Sequence, residues 1–231
     1  MLLLNKGILN YNAFNINAFL ADGNTVGWWI ADDLTTITKD GSNRMSRWND
    51  YLGSGHDLIQ AGADVVKPVW TVNGITFNGI QRIKAAAFTL NQPEFIYIVF
   101  KPITWGTPRF VFDGNVGNSG GLVQYSVTPD IIGYAGGSIV LNTQATLGSY
   151  CIARLLLYGA NSKLIINGGA ATTGNFGTAN MGGFTVGSEG NDSGTYCYFN
   201  GTIKEIIVRK ISDASGDETA IYNYLKAKYS L

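Results

Sequence analysis

Short apolar runs interrupted by glycine-containing turns recur along almost the whole chain. They stop at Asn73-Gly74, Asn78-Gly79, Asp113-Gly114 and Asn167-Gly168, and such dipeptides between apolar runs are strong signals for β-hairpins. The 231 residues include 30 glycines and only 14% charged residues, so turns are abundant and charges are scarce. The pattern predicts about a dozen short strands, which is typical of one large sandwich or jelly-roll domain.

The predicted strands are rich in β-branched and aromatic residues. They cover residues 26–31, 65–70, 74–77, 95–100, 109–112, 121–126, 131–134, 138–142, 150–158, 163–166, 183–186 and 203–208. Residues 95–100 are almost continuously apolar, which predicts a central strand covered on both faces. Trp28, Trp48 and Trp70 lie within apolar patterns, and we interpret them as core residues.

The N-terminal residues differ from the rest of the chain. Residues 9–19 come close to alternating apolar and polar side chains, which predicts an extended arm with one apolar side. Such an arm either adds an edge strand to its own domain or docks on a neighbouring subunit. We therefore divide the chain into an N-terminal arm for anchoring or oligomerisation, residues 1–24, and a β-sandwich, residues 25–231.

One short helix is expected at the C-terminal end. From Asp217 onward, Ile221, Tyr224 and Leu225 fall at helical spacing on one face, and this stripe would pack on the sandwich. Ser212 or Asp213 precedes the helix, and either side chain is of a type that caps helix N-termini.

Charge and composition exclude several classes of partner. Lysine plus arginine equals aspartate plus glutamate at 16 each, so no global field attracts nucleic acid or an anionic membrane. No apolar run approaches the roughly 18 residues that a membrane span needs. Cys151 and Cys197 either pair or remain buried strand residues, because two thiols in a chain of this length do not indicate a disulfide framework.

The carboxylates argue against glycoside hydrolysis. A retaining glycosidase needs two carboxyl groups about 5 Å apart. The glutamates are Glu94, Glu189, Glu205 and Glu218, and none has an acidic neighbour two residues away that could share a strand face. We expect a protein that is not an enzyme.

Three segments of the chain resemble laminin G-like (LamG) domains of the concanavalin A-like jelly-roll fold, which are common in bacterial surface proteins and bacteriophage structural proteins. The resemblance lies in residues 48–79, 154–168 and 183–231. It rests on Trp48-Asn49-Asp50, Phe77-Asn78-Gly79, Leu164 to Gly168, and Phe199 to Val208. Asn78 stands where the family more often has aspartate. The resemblance covers the chain from about residue 26 to its end and implies an all-β, concanavalin A-like jelly-roll β-sandwich with one short C-terminal helix and an extended N-terminal arm.

Calcium is the one cofactor that the resemblance suggests, since many relatives hold it with loop oxygens. Asp32 and Asp33 after the first strand, and Asp113 with Asn115 in a loop, offer suitable oxygens. Aspartate and asparagine also favour turns in their own right. Both interpretations stay open for these four residues.

Sugar recognition by a sandwich normally needs an exposed aromatic face beside amide or carboxylate side chains. The aromatic candidates are Trp105, Tyr134, Tyr196 and Tyr198, and the polar candidates in loops are Asn118, Asn191 and Asp192. Simple burial is the alternative for each aromatic residue.

The resemblance implies adhesion, and the sequence starts at Met1 with no export signal. Particles released by lysis would bring such a protein outside the cell. We therefore expect a virion-associated fibre, decoration or tail protein that recognises glycans or a host surface, forms a homo-oligomer and contacts other virion proteins through the arm. The alternatives are an oligomerising virion protein without a sugar site and an extracellular or cell-surface carbohydrate-binding module.

Overall fold

The protein is a sandwich of two β-sheets. The structure, a computed structural model, describes residues 14–191 and 197–231, and within these ranges sixteen strands form two eight-stranded sheets. The arrangement is a jelly-roll-like β-sandwich with a short C-terminal helix, which confirms the predicted all-β fold class.

The strands are numbered in chain order. They are β1 (Thr25–Ile30), β2 (Ile37–Lys39), β3 (Met45–Trp48), β4 (Leu58–Ile59), β5 (Val69–Thr71), β6 (Gly74–Asn78), β7 (Ile83–Ala85), β8 (Glu94–Pro102), β9 (Arg109–Asp113), β10 (Gly121–Gln124), β11 (Ile131–Tyr134), β12 (Cys151–Leu157), β13 (Ser162–Ile166), β14 (Thr172–Gly174), β15 (Thr185–Val186) and β16 (Asn200–Arg209). Sheet A has the order β14-β13-β12-β8-β16-β6-β5, with β1 also paired to β16, and sheet B has the order β11-β10-β9-β15-β7-β4-β3-β2. Short 3-10 helices cover Leu34–Thr36, Asp64–Val66 and Gly159–Asn161.

Strand β8 lies at the centre of sheet A between β12 and β16. Each of its residues except Lys101 is buried, which confirms the central strand predicted from the apolar run. A side chain can be buried on both faces of this strand because the second sheet covers one face and helices cover the other.

The main core lies between the sheets. It combines side chains of sheet A such as Ile98 and Phe100 with side chains of sheet B such as Phe112 and Leu122. Trp29 stacks on Phe184 with 5.4 Å between the ring centroids. Burial of this continuous apolar surface is the main stabilising contribution to the fold.

The tryptophan predictions largely hold. Trp28 and Trp48 are buried core residues, as predicted. Trp70 is half-buried against the main core, and its indole N–H donates to the Ala31 carbonyl over 2.9 Å.

Two predicted strands differ in the structure. Residues 65–70 begin as a 3-10 helix, and pairing starts only at Val69, after Pro68, which has no N–H to donate to a ladder. Residues 138–142 form no strand. They make a single isolated bridge, Ile131 to Asn142, and the Ser138 N–H is taken by the Asn175 carbonyl.

Two helices cover the outer face of sheet A. Helix α1 is Ile16–Leu20 and helix α2 is Ser215–Tyr229. Their buried residues Leu20, Ile221 and Leu225 pack with side chains of β8, β12 and β16 in a second apolar cluster. The stripe predicted for the C-terminal helix is therefore confirmed for Ile221 and Leu225, and Tyr224 packs at its edge.

The predicted extended conformation is wrong for residues 16–20, which form helix α1. Asn15 caps this helix by accepting a hydrogen bond from the Ala18 N–H over 3.1 Å. The apolar residues Ile16, Phe19 and Leu20 also suit a helical period, and their contact with sheet A favours it over alternation.

The start of α2 also differs from the sequence prediction. Ala214 occupies the N-cap position and makes no side-chain capping bond. The Asp213 carboxylate instead accepts a hydrogen bond from Arg209 Nε at 2.8 Å and one from the Tyr97 hydroxyl at 2.8 Å. Asp213 pairs with the buried Arg209 guanidinium instead of capping the helix, because an unpaired buried charge is costly.

Further predictions concern the thiols and the membrane. Cys151 and Cys197 are both free thiols, and Cys151 is buried. No helix within the described ranges combines the length and apolarity of a membrane span.

Candidate functional site

A small apolar cluster lies on the outer face of sheet B, on strands β9, β10 and β11. Along β10 and β11, Leu122 and Ile131 point into the main core, whereas Val123 and Ile132 point to the opposite face. Phe110 of β9 joins them there. No helix comparable to α2 packs on this cluster within the described ranges, since both described α-helices lie on sheet A.

This cluster forms the floor of a cavity of about 340 Å³. Tyr125 and Tyr134 pack against the floor at the ends of β10 and β11. The remaining lining residues come from loops and are Pro108, Asn118, Ile139, Glu189 and Cys197. A volume in this range is typical of a small-ligand site.

One buried carboxylate holds the two polar loops of the cavity together. Asp113, at the end of β9, accepts N–H bonds from Gly114 at 2.8 Å and Gly120 at 3.1 Å through Oδ1, and from Asn118 at 2.8 Å and Gly190 at 3.1 Å through Oδ2. Burial raises the pKa of this carboxyl to about 6, although the N–H bonds lower it. Asp113 thus fixes the β9–β10 loop against the segment that follows β15.

The polar wall of the cavity is an amide–carboxylate pair. Asn118 Nδ2 donates to Glu189 Oε1 over 2.8 Å. The close approach depends on Gly117, because a Cβ at that position would overlap the Asn191 amide and the Glu189 carboxylate. Asn118 itself adopts a left-handed backbone conformation, with φ of 60°, which asparagine tolerates better than most residues.

Cys197 places a thiol in the cavity wall. Its carbonyl accepts the Phe110 N–H at 2.9 Å, so its backbone runs beside β9. Burial raises the pKa of this thiol, and the charge and hydrogen bond of Glu189 and the charge of Asp113 raise it further. The thiol is therefore protonated at neutral pH and lies in a negative local field.

The arrangement suits a ligand with both apolar and hydroxyl surfaces. A pyranose has an apolar face that packs on aromatic rings, and its hydroxyl groups both donate and accept hydrogen bonds. The cavity offers two tyrosines, an amide and a carboxylate around an apolar floor. Such convergent polar groups over an apolar surface are what a small-molecule site requires.

The structure brings some of the sequence candidates for sugar binding together and separates others. Tyr134 and Asn118 line the cavity, and Asn191 lies beside it against Gly117. Tyr198 forms a backbone bridge to Phe110 but does not line the cavity. Tyr196 and Asp192 lie outside the described residues.

Trp105 is turned towards the main core. It packs on that core, and its buried indole N–H has no hydrogen-bond acceptor within the described ranges. Trp105 is not among the lining residues of the cavity. Its geometry corresponds to the burial alternative rather than to an exposed stacking surface.

Sequence reasoning missed Tyr125, Glu189 and Cys197 as site residues. Tyr125 follows Val123 by two residues, as Tyr134 follows Ile132, so strand alternation would have placed both tyrosines on one face. Glu189 and Cys197 had no comparable local signal, because their position depends on tertiary contacts to Asn118 and Phe110.

The four calcium candidates are engaged in other interactions or exposed. Asp33 caps the 3-10 helix by accepting the Thr35 N–H at 3.0 Å, and Asp32 is exposed. Asp113 accepts the four N–H bonds described above, and the Asn115 amide lies near the Ala85 carbonyl at 3.4 Å. Among the described residues, no group of three or more His, Cys, Asp or Glu side chains is placed to hold a metal ion.

Comparison with known proteins gives likeness at the level of structure only. No model of a protein family matches the chain, and no curated protein matches it. Trypanosoma rangeli sialidase in complex with sialic acid aligns with a TM-score of 0.64 and 12% identity over 87% of this chain and 33% of the sialidase chain. A second structure of Trypanosoma rangeli sialidase gives 0.63 and 11% identity over 87% and 32% of the two chains.

A third solved structure, the Ruminococcus gnavus IT-sialidase CBM40 bound to α2,3-sialyllactose, aligns with a TM-score of 0.48 and 12% identity over 65% of this chain and 96% of that chain. The chain spans only about a third of the length of the two Trypanosoma rangeli sialidase chains described above. At these identities the likeness to the sialidases concerns the fold alone.

Proposed function

We propose that the protein is a non-catalytic carbohydrate-binding module whose ligand occupies the cavity on the outer face of sheet B. One observation carries the proposal: two tyrosines and the Asn118–Glu189 pair converge over an apolar floor in a cavity of about 340 Å³. A sandwich of this type also occurs within a sialidase that was solved with sialic acid, which supports carbohydrate recognition as a function hosted by the fold.

The absence of catalysis is part of the proposal. Among the described lining residues, Glu189 is the only carboxylate, and the nearby Asp113 is committed to four backbone N–H groups. The other three glutamates lie elsewhere in the structure and are buried. A pair of carboxylates facing a glycosidic bond, as most glycosidases use, is not formed by these residues.

The biological setting that we propose rests on the laminin G-like resemblance. In that setting the module serves adhesion on a phage particle, and residues before α1 anchor it to other virion proteins. Because Leu20 packs on sheet A, a test of anchoring should delete residues 2–13 and keep α1. Neighbouring capsid and tail genes would support this setting, and neighbouring polysaccharide-utilisation genes would support a cellular module.

A glycan array with purified protein tests the binding function. We expect reproducible binding that Tyr134→Ala reduces at least tenfold, because loss of one aromatic face removes about 1.5 kcal/mol or more of packing. Tyr158→Ala is the matched control, since Tyr158 is exposed and does not line the cavity. Binding that survives Tyr134→Ala, or an array without binding in both calcium and chelator, would remove the proposed function.

A further inference from the structure

The charge of the cavity determines which sugars it can accept. Among its described lining residues, Glu189 is acidic and none is lysine or arginine. Asp113, directly behind the loops, adds a second carboxylate, and its oxygens accept the N–H groups of Asn118 and Gly190, which flank the cavity. The local charge is therefore negative, although the whole chain has a formal net charge of zero.

The basic residue that contacts these loops does not reverse this charge at the cavity. Lys84 Nζ donates to the Gly190 carbonyl at 3.0 Å and lies 3.4 Å from the Asn115 carbonyl. It is not among the lining residues. The negative charges of Glu189 and Asp113 both raise the pKa of the Cys197 thiol, which agrees with a negative local charge.

We infer that the cavity selects neutral sugars, with Glu189 accepting hydroxyl hydrogen bonds, and discriminates against sugars that carry a carboxylate, such as sialic acid and uronic acids. This inference rests on the proposed function and names its ligand class. Glu189 accepts a hydrogen bond from Asn118, and a carboxylate can accept about four, so sugar hydroxyls can add to or replace the bonds that Glu189 makes. Bonds to a charged acceptor are about twice as strong as neutral ones.

Two effects act against an anionic sugar in this cavity. Two negative charges at contact distance repel each other, and in a partly desolvated site this should weaken binding at least tenfold. A sugar carboxylate would also need cationic or N–H donors to replace its water, and the N–H groups of Gly114, Asn118, Gly120 and Gly190 already bind Asp113.

Cys197 provides a direct reporter of occupancy. Cys151 is fully buried, whereas Cys197 lines the cavity. Because the Cys197 thiol is protonated at neutral pH, prolonged labelling of the folded protein at about pH 9, where more thiolate forms, should modify Cys197 selectively. A bound sugar should slow this labelling. The reporter measures binding at the cavity itself, independently of any signal from another surface.

The test measures binding of a neutral sugar, lactose, and two anionic sugars, 3′-sialyllactose and a glucuronic acid disaccharide, to the wild type and Glu189→Gln. The readouts are affinity and the slowing of Cys197 alkylation by iodoacetamide when sugar is added, measured within each variant because Glu189 itself raises the pKa of the thiol. We expect the neutral sugar to bind the wild type at least tenfold more tightly than either anionic sugar and to protect Cys197. Glu189→Gln should weaken the neutral sugar about tenfold and narrow the difference from the anionic sugars. Asp32→Asn, which removes one exposed negative charge away from the cavity, should change neither the affinity for the neutral sugar nor its difference from the anionic sugars.

The outcomes separate the two proposals. Tighter binding of sialyllactose or the glucuronide, with protection of Cys197 and loss in Tyr134→Ala, would overturn the selectivity for neutral sugars and keep the carbohydrate-binding function. Equal affinity of the wild type and Glu189→Gln for the neutral sugar would overturn the role of Glu189. Failure of every array glycan to bind or to protect Cys197 would remove the proposed function itself.

Discussion

At the scale of single residues, Glu94 is the clearest case of a buried acid that needs an explanation. Its side chain is fully buried at the start of β8, and Oε1 accepts the Met181 N–H over 2.8 Å. Oε2 has no hydrogen-bond partner among the described residues. Burial raises the pKa of this carboxyl to about 8, because a charge without a partner is poorly solvated there.

The raised pKa predicts how Glu94 affects stability as pH changes. The folded state holds a proton on Glu94 that the unfolded state releases near pH 4.5, so the contribution to stability is complete below that pH. It is lost as pH rises from about 4.5 to about 8, at about 1.4 kcal/mol per pH unit. Urea unfolding at pH 5, 6.5 and 8 should show that Glu94→Gln flattens this decline, whereas exposed Asp32→Asn keeps it. An unchanged slope in Glu94→Gln would show that Glu94 is ionised in the folded protein.

Candidate site residues could be chosen from their side-chain type, but the residues that they contact in the folded protein could not be predicted. Tyr134 and Asn118 were singled out because aromatic and amide side chains suit sugars. Asn118 meets Glu189 across 71 residues of sequence, and no local pattern shows that Asp113 joins their two loops. Trp105 has the same residue type as a stacking platform, but tertiary packing turns it towards the core.

At the scale of secondary-structure elements, α2 and α1 together close the outer face of sheet A. Ile221 and Leu225 of α2 and Leu20 of α1 share one apolar cluster with β8, β12 and β16. Arg209 joins these elements, because it donates to Asp213 before α2 and to Asp22 after α1, with Nη2 2.9 Å from Asp22 Oδ2. The helices therefore act as structural cover, in contrast to the cavity on sheet B.

Because α2 covers sheet A and does not form the cavity, a substitution in its buried face should change stability without changing glycan binding. Ile221→Ala leaves a cavity under the helix and should reduce the free energy of unfolding by about 2 to 5 kcal/mol. Glycan affinity at a temperature where the variant is folded should stay unchanged, because α2 and the cavity lie on different sheets. Asn223→Ala, on the exposed face of the same helix, is the control and should stay within about 0.5 kcal/mol of the wild type. An Ile221→Ala variant with the same free energy of unfolding as the wild type would contradict the role of α2 as cover.

Element prediction succeeded where strands are long enough to show alternation or a continuous apolar run. Strands β8, β12 and β16, of nine, seven and ten residues, were predicted from such patterns. Strands β2, β3, β4, β7 and β14 were missed, and each has only two to four residues. They are defined by pairing with distant strands, which a local pattern does not contain.

At the scale of the whole molecule, the sandwich uses its two outer faces differently. The outer face of sheet A is covered by α1 and α2, and the buried Glu205 carboxylate there is paired with Trp28, at 2.7 Å, and Lys228, at 2.6 Å. The outer face of sheet B keeps an apolar floor with polar loops around it. Strand alternation predicts that these faces exist, but which one is covered follows from the three-dimensional placement of α1 and α2.

A crystal structure of the protein with the tightest-binding glycan from the array would locate the binding site directly. We expect a sugar ring in the cavity, packed on Tyr134 or Tyr125, with a hydroxyl oxygen about 2.7 to 3 Å from the Glu189 carboxylate. A sugar bound to another surface, such as the face of α2, with the cavity empty at saturating ligand, would contradict it.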